Sequence, residues 1–446
     1  MIEFLTLMLG LVAGVQTVEL AAEPPVVAVE LLLNGEPAGR CDRPPWRFVL
    51  DLGAELSPHE LLAVGLDADG GEVARARQWL NLPRGRAEAR VVLDHDEQGR
   101  PTAAGLAWAS LESREPEATE VWFDGLPLVL DDPRRFDLPE YDRNSVHVLT
   151  AELRFAGGER VHAEASFGGV YGDRVATELT AVPVVVDPGR RGTPPSGFDA
   201  AFVGAGGEVL ETVSTEAGGA DVVVVRDEAS QAAVRALVAE VERRMLRNHH
   251  ERSKDLLPLR RDDRIQLVWP RVDVPPASAG AAADPGLFAA SPGHAASEGG
   301  WHWLLSRIER PPLPQRIADA VAVAGVASTA ANRPRAVVLI VDPGTPDRST
   351  FSPARVRRYL ARLHVPLVVW TAAEDGERIA AEWGEAESVA TWRDLQTAVR
   401  RLRERLDRQS IVWLDGSHLP QSIRLTDSVQ DVSIAGSRPD AGQEDL

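Results

Sequence analysis

Between Pro24 and Val186, apolar and polar residues alternate with a period of two in short runs such as 26–33, 46–50, 60–66 and 72–80. Turn signals interrupt these runs roughly every 8 to 12 residues, the pattern of antiparallel sandwiches. Asn34-Gly35, Asp69-Gly70-Gly71 and Gly157-Gly158 supply the positive φ angles that tight hairpin turns need. The region also repeats itself. The run from Val29 through Asn34-Gly35 to Pro37 is similar to that from Val121 through Asp124-Gly125 to Pro127, and the segment beginning at His59 is similar to that beginning at His147. An offset of about 90 residues is one immunoglobulin-like module, so the pattern predicts two β-sandwiches, over 24–100 and 101–186.

A Pro/Gly-rich linker over 187–197 ends this region, and the periodicity then changes. A hairpin is expected over 198–214, and the four valines within 221–226 predict a strand buried on both faces, as in a parallel sheet. Helices are expected over 228–249, 314–330, 353–363, 375–382 and 391–407, with strands over 264–269, 335–341 and 365–370. Residues 271–300 are rich in Ala, Gly, Pro and Ser, and predict a flexible insertion. Residues 416–446 are polar and predict a frayed tail. Strands alternating with helices over 198–415 imply a doubly wound, Rossmann-like α/β domain, whose functional residues belong at the carboxyl ends of the strands.

Those ends are Asp227, after the valine-rich strand, and Asp342, after Val-Val-Leu-Ile-Val341. Together with Asp263-Arg-Ile-Gln-Leu-Val268 and Gln315-Arg-Ile-Ala-Asp319-Ala-Val321, these segments resemble, in order, the elements of the von Willebrand factor A domain. The likeness is to the bacterial form that follows immunoglobulin-like modules. The resemblance implies a vWA-like fold, a role in protein–protein interaction or adhesion, and a metal-ion-dependent adhesion site. In that site an Asp-x-Ser-x-Ser loop, a threonine and a second aspartate hold magnesium. The aspartates map to Asp227 and Asp342, but Ala229, Gln231 and Gln315 stand where the three hydroxyl ligands belong. Ser230 is one place out of register, and Glu228 and Asp347 offer replacement oxygens. The expectation is a degenerate site without a cofactor, in which both aspartates cap the helices that follow them. The alternative is a cation-dependent adhesin holding magnesium through altered ligands.

Composition narrows the reading. The 446 residues are 44% hydrophobic and 26% charged, which is enough for several packed cores. Net charge is -19, the wrong sign for nucleic acid. Residues 1–186 hold 31 of the 67 acids and 16 of the 48 bases, so the front is the acidic part. The single cysteine, Cys41, excludes an internal disulfide and multi-thiolate zinc sites. The apolar run 4–16 followed by Ala21-Ala22 suggests a signal peptide over 1–22 and a periplasmic or secreted, cell-envelope protein. Glu3 and the lack of an early base stand against export, the alternatives being a buried first strand or a misassigned start codon. No segment is long enough to insert in a membrane as a helix.

Other motifs read as structure. Asp67-Ala-Asp69-Gly70 and Asp94-His-Asp96 are expected in hairpin turns, Gly204-Ala-Gly206-Gly207 in a turn, and His249-His250-Glu251 at a solvated helix end. Trp301 and Trp303 are expected in the core. Asp415, Ser417 and His418 lie together without a nucleophile elbow, so a hydrolase is the weakest alternative and no enzyme is expected. The partner is an unidentified protein.

Overall fold

The computed structural model describes most of residues 2–186, 198–227, 260–270, 288–295 and 315–437, together with Ser230, Leu237 and Ala239. The linker 187–197, nearly all of the helix expected at 228–249, the His249 to Glu251 cluster, most of the 271–300 insertion, and Trp301 and Trp303 lie outside the described residues.

The first sandwich packs a three-stranded sheet on a four-stranded one. Strands β1 (Ile2–Phe4), β2 (Val15–Ala22) and β5 (Trp46–Asp51) form the first sheet. Strands β3 (Ala28–Leu33), β4 (Glu36–Cys41), β6 (His59–Leu66) and β7 (Glu72–Leu80) form the second, in the order β4-β3-β6-β7. The second sandwich repeats this plan: β8 (Ala87–His95), β9 (Pro101–Ser110) and β12 (Phe136–Asp137) face β10 (Ala118–Phe123), β11 (Leu126–Leu128), β13 (Val146–Arg154) and β14 (Arg160–Gly168), with a short β15 (Val175–Ala176) at the edge. Strand for strand, β1 to β7 correspond to β8 to β14.

The repeat extends to single hydrogen bonds. In the first module Asn34 and Gly35 form the two-residue turn at φ 54° and 83°. The Asn34 Oδ1 accepts from the Glu60 amide at 2.9 Å, and Asn34 Nδ2 lies 3.1 Å from His59 Nδ1. In the second, Asp124 and Gly125 turn at 51° and 77°, Asp124 Oδ1 accepts from the Val148 amide at 2.9 Å, and Oδ2 lies 2.7 Å from His147 Nδ1. A left-handed Asx-Gly turn is thus latched in each module to a histidine at the start of the next long strand, His59 of β6 and His147 of β13.

The correspondence extends to residues 1–22, the segment whose apolar run suggests a signal peptide. They supply the first two strands of module one, as 87–110 do in module two. Val18 and Leu20 point inward and Glu19 outward, and Ile2, Met8, Val12, Val18 and Leu20 share one core with Phe48 and Leu61. The module boundaries move accordingly, to about 2–82 and 87–176.

The strand expected to close module two belongs elsewhere. β16 (Leu179–Val186), β17 (Phe202–Val203), β18 (Val209–Leu210) and β19 (Thr212–Glu216) begin a third, smaller antiparallel unit. The chain then leaves for the α/β unit. There β20 (Asp221–Arg226), β21 (Arg264–Val268), β22 (His294–Ala295), β23 (Arg335–Ile340), β24 (Leu367–Thr371) and β25 (Ala386–Ser388) line up as β22-β21-β20-β23-β24-β25. All pairs are parallel except β22 with β21. In order of appearance this is 3-2-1-4-5-6, the doubly wound arrangement. The chain returns in β26 (Gln409–Asp415), β27 (Arg424–Leu425) and β28 (Val432–Ile434), which complete sheets β19-β26-β16-β28 and β18-β17-β27.

The α/β unit is therefore an insertion in a small sandwich, between the adjacent antiparallel strands β19 and β26. Residues 416–437 are not a frayed tail: Ile423, Ile434 and Ala435 are buried, the first two in the small sandwich's core. Nor is all of 271–300 loose, because Phe288 is buried against the sheet and the Ser291 hydroxyl accepts from the Leu267 amide at 2.9 Å.

Helix α1 (Ile317–Thr329) is rich in Ala and Val and is buried on nearly every side, between the sheet and α2 (Pro353–Arg362). On the other face lie Trp392, Leu395, Val399 and Leu402 of α4 (Trp392–Leu406), which starts at a Thr391–Asp394 capping box. The short α3 (Glu377–Trp383) precedes β25. Module one docks on α2: the Tyr359 hydroxyl donates to the Asn81 carbonyl at 2.5 Å, Arg358 makes two bonds to the Glu55 carboxylate, and Leu11 and Leu56 enter the α/β core.

Candidate functional site

The two mapped aspartates meet in the crevice at the carboxyl ends of the central strands. Asp227, buried just after β20, accepts the Ser230 amide on Oδ1 at 2.9 Å and the Asp342 amide on Oδ2 at 3.2 Å. Its own N–H donates to the Ile340 carbonyl at 3.0 Å, which ties the loops after β20 and β23 together. The Ser230 hydroxyl donates to the Asp227 carbonyl at 3.1 Å, as in a closed turn. Asp342 Oδ1 accepts the Thr371 hydroxyl at 3.0 Å and the Ala372 amide at 2.9 Å, and so latches the loop after β24. Glu228, Ala229 and Gln231 lie outside the described residues.

Gln315 is buried and forms a parallel bridge with Asp347. Asp347 accepts the Ile317 and Ala318 amides at 2.9 and 3.2 Å, so its carboxylate caps α1, the place where an acid is favoured by unsatisfied N–H groups and the helix dipole. Asp319, fully buried, accepts the Thr350 and Phe351 amides at 2.9 and 3.1 Å and pairs with Arg316 at 2.5 Å. Among the described residues no group of three or more His, Cys, Asp or Glu side chains is arranged to hold a metal ion. A small recess of ≈ 40 Å³ remains between Asp342 and Asp347, and Arg378 of α3 lines the same recess.

The hydroxyl and imidazole near the C-terminus form no relay. His418 Nε2 lies 2.8 Å from the Asp415 backbone carbonyl, and the His418 amide donates to the Thr180 hydroxyl at 2.9 Å. The remaining motifs are turns. Asp67 Oδ1 accepts the Asp69 and Gly71 amides, Asp96 and Arg100 exchange bonds between β8 and β9, and Gly204 to Glu208 close the β17–β18 hairpin. Sequence reasoning missed Thr371 and Arg378. Thr371 ends a strand in the same crevice and could have been found from that position, whereas Arg378 carries no local signal.

No known protein family matches the chain, and no curated protein does. Solved structures with detectable similarity include fibronectin type III-like modules of CbhA from Clostridium thermocellum, at 18% identity over 18% of this chain and 93% of that one, with a TM-score of 0.17. Proximal thread matrix protein 1 from mussel byssus, with a zinc-occupied MIDAS motif, is 9% identical over 44% of this chain, with a TM-score of 0.27. The human COPII-coat protein Sec24c is 9% identical over 46% of this chain, with a TM-score of 0.26. The matched parts span half and two fifths of the lengths of the last two. No described helix is long and apolar enough to cross a membrane.

Proposed function

We propose that the chain is a non-enzymatic protein-interaction or adhesion protein, with two immunoglobulin- or fibronectin III-like modules and an inserted vWA-like domain whose metal-ion-dependent adhesion site is degenerate. The observation that carries the proposal is the double engagement of the carboxylates. Asp227 joins two backbone amides and Asp342 joins Thr371 and Ala372, so both hold loops where the intact site would hold a cation. Arg378 adds a positive side chain to the recess beside Asp342 and Asp347. Glu382 lines the same recess 3.9 Å from Arg378, so the two charges there oppose each other.

The recess also defines the competing reading, a magnesium-dependent adhesin using Asp342 and Asp347. Thermal unfolding of the full chain after EDTA treatment, with and without millimolar magnesium, manganese or calcium, separates the two. A bound ion at a hundred times its dissociation constant would add about 2.7 kcal/mol. No shift is expected; a shift abolished by Asp342→Ala establishes the cation-dependent reading instead. A cell-envelope location belongs to the same proposal and rests on the apolar run 4–16. N-terminal sequencing of exported protein checks it, and a mature chain beginning after Ala22 would lack β1 and β2.

A further inference from the structure

At the opposite end of the same sheet lies a cavity of ≈ 580 Å³, within the size range of small-molecule sites. Its walls come from module one, from β14 of module two through Val161 and Glu164, from β16 and from the α1 face of the sheet, with Leu82, Leu179, Val268 and Val326 among its apolar lining. Arg335, the first residue of β23, lines it. The side chain is 3% exposed, and Nη2 makes one long contact to the Leu363 carbonyl at 3.5 Å. Nε is buried with no partner. Burial pulls the guanidinium down to about 10 against the opposing pull of Asp221, its register neighbour on β20, which also lies 3.5 Å from Arg333. The neighbouring His364 stays neutral, because burial and then the Arg335 charge hold its imidazole down to about 3.

A buried guanidinium with five donors and one long contact is costly unless something anionic completes it. Its backbone does not explain it: the Arg335 amide and carbonyl are both held by the Gln409 side chain, an arrangement open to any residue. We infer that this cavity is a binding site for an amphiphilic carboxylate, the acid group on Arg335 and the apolar body along Val326, Val268 and Phe288. Planar bidentate donors suit a carboxylate, and charge-assisted bonds to a buried guanidinium are stronger than neutral ones.

The test uses the full chain and two probes of equal length, decanoate and decan-1-ol, titrated calorimetrically. Decanoate is expected to bind saturably at one per chain and at least tenfold tighter than the alcohol. Arg335→Met is expected to bind both with the weaker affinity. No saturable decanoate binding, equal affinities in the wild type, or decanoate affinity unchanged in Arg335→Met would each overturn the inference. The comparison of the two probes on the wild type needs no variant to fold.

Discussion

At the carboxyl ends of β20, β23 and β24, Asp227, Asp342, Asp347 and Asp319 all accept hydrogen bonds from backbone amides of the loops around them. At the amino end of β23, Arg335 is buried like Asp227 and Asp319, and its guanidinium has a single long contact. Doubly wound sheets place ligands at the carboxyl ends. In this protein the acids at that end hold loops, and the incomplete polar chemistry lies at the other. Charge that has been absorbed into structure and charge that awaits a partner differ in what their removal does.

Asp319→Ala should have the largest effect, because it leaves Arg316 and two amides without their buried acceptor; a loss of about 3–5 kcal/mol in denaturant unfolding is expected. Glu164, which lines the same cavity as Arg335 but from module two, sharpens the contrast through pH. Burial, then the nearby Glu216, raise its carboxyl to about 7 from an ordinary value of 4.5. The neutral form is therefore favoured in the folded chain. Its contribution is fully present below pH 4.5 and is lost as pH rises through about 7, costing up to about 3 kcal/mol at pH 8. Glu164→Gln should recover that stability at pH 8 and change little at pH 4.5, read by unfolding at the two pH values.

Asp227→Ala leaves the Ser230 and Asp342 amides unpaired and should cost about 2–3 kcal/mol with or without magnesium. A variant as stable as the wild type would break the comparison. Arg335→Met should lie at the small end: unliganded stability unchanged or raised by about 1 kcal/mol, since a poorly paired buried charge gives way to an apolar side chain. A loss of 3 kcal/mol or more, on the order of a broken buried pair, would mean that Arg335 is a structural cation.

The sequence shows some of this arrangement plainly. Asn34-Gly35 and Asp124-Gly125 announce the repeated modules because few residues accept two successive positive φ angles. The period-two signal of Thr17, Val18, Glu19 and Leu20 was also present, but it follows an apolar run that reads equally as a leader. The third sandwich is not legible, because its strands pair across the inserted unit; Thr180 and Gly416, joined by a 2.7 Å hydrogen bond, are 236 positions apart. Strand patterns say which face is buried, not which distant strand is the partner. Asp227 and Asp342 are readable as strand ends, whereas the Thr371 that engages Asp342 stands 29 residues further on. Arg335 looks like any charged residue flanking a strand.

The central claim, that the carboxyl-end crevice holds loops and not a cation, is tested most directly by manganese binding to the EDTA-treated full chain, counted from the electron paramagnetic resonance signal of the free ion. The account predicts no bound manganese at millimolar concentration in the wild type or in Asp342→Ala. One manganese per chain in the wild type, lost in Asp342→Ala, would contradict it.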